Sequence, residues 1–78
     1  MYFVAMLGPI EIGRITVLND TNPYFVTVNA VAAKPTTQQL PESYFVKSFV
    51  DFEMAKAYAI SFFPDTTKPF ILWTAYQS

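Results

Sequence analysis

The stretch DFEMAKAYAISFF, residues 51–63 and closed by Pro64, decides how the chain must fold. At about 100° per residue, Phe52, Ala55, Ala59, Phe62 and Phe63 fall on one face, with Glu53, Ala57 and Ser61 opposite. Asp51 carries the short oxygen-bearing side chain that suits an N-cap, and Glu53 complements the positive end of the helix dipole. Pro64 lacks the N–H that the next turn would need, so it stops the helix. The spacing predicts one amphipathic helix over residues 51–63, and no other segment reads this way.

On either side of the helix the apolar pattern changes to short runs separated by turn residues, which is how strands read. Residues 44–49 form a strand before the helix. Asp65-Thr66-Thr67-Lys68-Pro69 then turns the chain, and residues 70–76 form a last strand. A strand-helix-strand of this kind has the makings of a right-handed crossover. Toward the N-terminus, residues 2–7 make a strand stopped by Gly8-Pro9, residues 10–18 a second, and residues 24–31 a third. The cluster Asn19-Asp20-Thr21-Asn22-Pro23 between the last two reads as a turn; its match to a glycosylation sequon lacks a secretory context. The order is β-β-β-β-α-β. The expected fold is a small α+β domain spanning residues 1–78, with a mainly antiparallel sheet and the helix packed on one face. Phe52, Ala55, Ala59 and Phe62 should bury against Val26, Val28 and Leu72.

The second strand contains an irregularity. Ile10 and Ile12 share one parity, Ile15 and Val17 the other, and Gly13 lies between. One inserted residue restores the phase, which predicts a β-bulge at Gly13 or Arg14 and turns Arg14 and Thr16 away from the core. Residues 32–43, with two prolines and the run Thr36-Thr37-Gln38-Gln39, read as a long polar loop. Tyr-Phe-Val recurs at positions 2, 24 and 44, but the flanks share nothing further, so these are strand starts and not structural repeats.

Composition narrows the function classes. The 78 residues are 53% apolar, 18% aromatic and 14% charged, with net charge −1. Scaling laws give about 4,800 Å² of folded surface against about 12,900 Å² unfolded, so roughly 63% is buried, a thin margin for a domain. The chain has no Cys and no His, which excludes a disulfide scaffold, a Cys/His metal module and nucleophile-histidine catalysis. Of the six acids, Asp20 and Asp65 sit in turns, Asp51 caps, and Glu53 faces outward, leaving Glu11 and Glu42 without a structural role. Two isolated acids do not make a catalytic pair, and two glycines in the whole chain do not make a phosphate loop. The expectation is no catalysis, no cofactor and no metal. The longest uncharged stretch, residues 21–33, is broken by Pro23 and falls short of the ~20 residues of a membrane span. With no basic leader at the start, a cytoplasmic protein is expected.

Three functional readings follow. The first is a non-catalytic interaction module acting as a homo-oligomer. In the first strand Tyr2, Val4 and Met6 face one way and Phe3, Ala5 and Leu7 the other. In the last strand Phe70, Leu72 and Tyr76 oppose Ile71, Trp73 and Ala75. A single helix covers one face, so a second copy is the economical cover for the other. Tyr2, Val4, Met54, Tyr58 and Trp73 are the expected interface residues. The second reading is weak single-stranded nucleic-acid binding, with Tyr24 and Tyr44 stacking bases and Arg14 and Lys47 meeting phosphates. Five scattered basic residues, outnumbered by six acids, argue against it. The third is small-ligand binding or catalysis at a subunit boundary, involving Glu11, Arg14 and the polar loop. The run from Phe49 to Ala59 followed by Pro69-Phe70-Ile71-Leu72 resembles a generic helix-then-strand unit of small α+β domains. It covers under half the chain, carries no chemical motif and implies no activity.

Overall fold

A computed structural model describes residues 1–29 and 46–77. The chain is an α+β domain in which β1 (Tyr2–Leu7), β2 (Ile10–Val17), β3 (Tyr24–Val28), β4 (Val46–Phe49) and β5 (Ile71–Tyr76) form one sheet. Helix α1 (Phe52–Ile60) packs on one side of it. The strand order is β4-β3-β2-β1-β5, and every neighbouring pair is antiparallel. It follows that β4 and β5 run in the same direction but lie at opposite edges. The helical connection between them therefore crosses the whole sheet.

The β1–β2 connection is a two-residue turn, with Leu7 opposite Ile10. Gly8 has φ of 60°, and among the described residues no non-glycine residue has positive φ. Positive φ at the first loop position alone is the signature of a type II′ turn, which matches the twist of the flanking strands.

The predicted bulge is present, one residue earlier than expected. Ala5 pairs with Gly13 and Met6 with Glu11, so Ile12 is the extra residue. A bulge sets two successive side chains against one partner, which turns both Ile12 and Gly13 toward the helix. The bulged backbone stays satisfied: Asn29 donates its N–H to the Ile12 carbonyl at 2.9 Å and its side-chain amide to the Glu11 carbonyl at 2.9 Å. Beyond the bulge Arg14 and Thr16 point away from the helix, as the parity argument required.

On the helix side, Ala5, Ile12, Ile15, Val26, Val28 and Ile71 bury against Ala55, Ala59, Phe62 and Phe63. Phe52 seals the end of this core, its ring 4.6 Å from Phe3 and 5.4 Å from Tyr24. The helix begins where Asp51 accepts a hydrogen bond from the Glu53 N–H at 3.1 Å. It ends sooner than the periodicity suggested. The Ser61 hydroxyl and N–H both donate to the Tyr58 carbonyl, and the Phe63 N–H donates to Ile60, so the last turn tightens before Pro64. Phe62 and Phe63 reach the core from that turn and not from the helix.

Other expectations change as well. Leu72 does not meet the helix: it is opposite Met6, on the other side of the sheet, and 69% exposed. Phe70 closes a 3-10 turn (Lys68–Phe70) instead of opening β5, because its N–H donates within the turn to the Thr67 carbonyl at 3.0 Å. Leu18 and Asn29 lie outside their strands. Residues 30–31 and 44–45, and the loop expected over residues 32–43, lie outside the described residues. Among those described, no helix is long and apolar enough to cross a membrane.

Candidate interaction surface

Side chains alternate across a strand, so the register assigns each residue to a face. The face without the helix carries Tyr2, Val4 and Met6 from β1, with Glu11, Arg14 and Thr16 from β2. Phe25 and Thr27 of β3, Val46 and Ser48 of β4, and Leu72, Thr74 and Tyr76 of β5 complete it. The two halves of this face differ in chemistry. Over β2 and β3 the outward residues are mostly polar, as on a wetted sheet. Over β1 and β5 they are apolar or aromatic apart from Thr74.

The apolar half is ordered by ring stacking. Tyr2 and Tyr76, directly opposite in the ladder, stack with centroids 5.2 Å apart and planes 13° from parallel. The Arg14 guanidinium lies 4.7 Å from the Tyr2 ring centroid and donates to the Glu11 carboxylate at 2.9 Å. That hydrogen bond is the main cause of a raised Arg14 pKa. Val4, flanked on this face by Tyr2, Met6, Arg14 and Thr74, is only 4% exposed. Leu72 at 69% and Tyr76 at 43% exposed stand proud of it. The result is an apolar strip along β1 and β5, bounded on the β2 side by one ion pair.

The five residues expected at an interface do not form a single surface. Tyr2 and Val4 belong to the strip. Trp73 is opposite Ala5 and packs half-buried against the core on the helix side. Tyr58 is held between Phe49 and Phe62, with both ring centroids at 5.2 Å. Met54 is exposed on the helix. Met6, Leu72 and Tyr76, which complete the strip, were separable by parity within their own strands. Their juxtaposition depends on β5 pairing with β1, which no local pattern encodes.

The nucleic-acid residues are also divided. Arg14 lies on the open face, whereas Tyr24 packs on Phe52 and the Lys47 ammonium sits 5.4 Å and 5.7 Å from the Phe49 and Tyr58 centroids, on the helix side. Tyr44 lies outside the described residues. Lys56 and Lys68 pair with Glu53 and Asp65 at 3.4 Å and 2.8 Å. Among the described residues no three acidic side chains gather as a metal site would require. No protein-family model, curated protein or solved structure matches the chain.

Proposed function

We propose that the protein is a non-catalytic interaction module that works as a homo-oligomer, using the side of its sheet opposite α1, at β1 and β5. The apolar strip of Tyr2, Val4, Met6, Leu72 and Tyr76 is the observation that supports this reading. A solvated antiparallel face ordinarily alternates to polar residues, and β2 follows that rule while its neighbour β1 does not. Glu11, the one described acid without a structural role in the sequence, is engaged by Arg14, which favours a binding role for this face over acid–base chemistry.

The test is the absolute mass in solution, by light scattering across a size-exclusion peak at several concentrations. A stable multiple of the 8.9 kDa chain is expected. A monomer at every concentration would reject the reading.

A further inference from the structure

The two edges of the sheet are built differently. Strand β4 turns Lys47 toward the helix side, over Phe49 and Tyr58. An inward-pointing charge is one of the devices by which proteins block edge-to-edge pairing. Strand β5 carries no such charge. It is six residues, Ile71-Leu72-Trp73-Thr74-Ala75-Tyr76, with no charge and no proline, and its register with β1 is unbroken by a bulge. Among the described residues no strand pairs with its outer edge.

From this asymmetry we infer that β5 is the docking edge and that its partner is the β5 strand of a second copy, paired antiparallel about a twofold axis centred on Thr74. The inference rests on the homo-oligomer reading and moves its contact from the apolar face to the β5 edge, where Leu72 and Tyr76 of that face meet their counterparts while the rest of the strip stays open. An axis normal to the sheet sets two identical edge strands antiparallel in one continuous sheet, and directly opposed residues then share a face. Only registers in which a residue opposes itself are therefore allowed. Centring on Thr74 opposes Leu72 to Tyr76 of the partner subunit, and Trp73 to the partner's Ala75. The two large exposed apolar side chains of the strand cover each other, threonine meets threonine, and the large indole meets the small methyl. Centring on Trp73 instead opposes two indoles and draws Phe70, part of the 3-10 turn, into the ladder. Centring on Ala75 leaves Leu72 unpaired within the strand.

The strand is thus complementary to itself, as an isologous interface demands. Main-chain hydrogen bonds supply the attraction and alternate side chains the specificity. The assembly is a ten-stranded sheet with both helices on one side and the two apolar strips joined on the other.

Because the chain has no cysteine, Thr74→Cys gives a single thiol at the proposed axis. Opposed Cβ atoms there lie about 4.5–5.5 Å apart, close to disulfide reach and within that of a short thiol-to-thiol linker. Mild oxidation or linker treatment at low micromolar concentration should convert most of T74C to a covalent dimer. Ser48→Cys, on the same face at the opposite edge, should stay monomeric on a non-reducing gel. As a second readout, Leu72→Lys and Tyr76→Glu should each reduce the mass to that of one chain, and the double variant should restore the dimer. A native dimer in which T74C does not link, or links no faster than S48C, would overturn the β5 edge while leaving the homo-oligomer intact. So would a double variant that stays monomeric. A native monomer would overturn both.

Discussion

Phe62 carries the packing of the helix–sheet layer from the turn just after α1, and its removal can be sized in advance. The side chain is 5% exposed and meets Tyr58 edge-on at 5.2 Å. An aromatic side chain buries about 150–250 Å², worth roughly 4–6 kcal/mol at about 25 cal/mol per Å². Alanine recovers part of that by its own burial, so Phe62→Ala should cost about 3–5 kcal/mol. A 78-residue domain has a total of about 4–12 kcal/mol to lose. Urea unfolding followed by the fluorescence of half-buried Trp73 measures this directly. With a slope near 1 kcal/mol per M, as for a small chain, the midpoint should fall by about 3 M or more. Phe52, only half-buried, provides the internal comparison: Phe52→Ala should cost about 2 kcal/mol, less than Phe62→Ala. If Phe62→Ala leaves too little folded protein to titrate, Phe62→Leu keeps the ranking measurable. A Phe62 variant no less stable than the matching Phe52 variant would refute the packing described for the post-helix turn.

Two further outcomes are expected. A Cβ at Gly13 would lie 3.3 Å from the Thr27 carbonyl oxygen and 3.8 Å from the Ala59 methyl, so Gly13→Val, which extends further, should cost about 1–3 kcal/mol and lower the melting temperature by about 5–20 °C. An unchanged melting temperature would mean the helix does not press on the bulge. The Asp65 carboxyl is held below its ordinary 3.8 by the Lys68 hydrogen bond. Its folded pKa is depressed, so its contribution is complete above the unfolded pKa and is lost as pH falls through the folded value. Lys68→Met should move the Asp65 titration, followed by NMR, back up to the ordinary range, and an unmoved titration would exclude that hydrogen bond as the cause.

The helix, the strands and the bulge were legible because each is written in a local period. Phe52, Ala55 and Ala59 recur at helical spacing, and the switch of parity between Ile12 and Ile15 can only be absorbed by an extra residue. The bulge was misplaced by one position because parity locates an insertion between two pairs without naming the residue inserted. The helix end was overrun because Phe62 and Phe63 fit the apolar stripe equally well from a tight turn. Trp73 was assigned to the open side because the two parities of β5 are both apolar, so the strand's own sequence does not say which set meets the core.

What the sequence by itself determined is the inventory: five strands, one capped helix, a two-residue turn at Gly8-Pro9, and more apolar surface on β1 and β5 than one helix can cover. These depend on dihedral preferences and periodicities that act over a few residues. Only the tertiary structure decided that β5 crosses the whole sheet to pair with β1. That pairing stacks Tyr76 on Tyr2, joins Leu72 to Met6 and, among the described residues, puts an uncharged strand at one edge while Lys47 lies at the other. Strand neighbours are chosen by burial summed over the whole core and by the closure of long connections. Neither quantity belongs to any single segment of the chain.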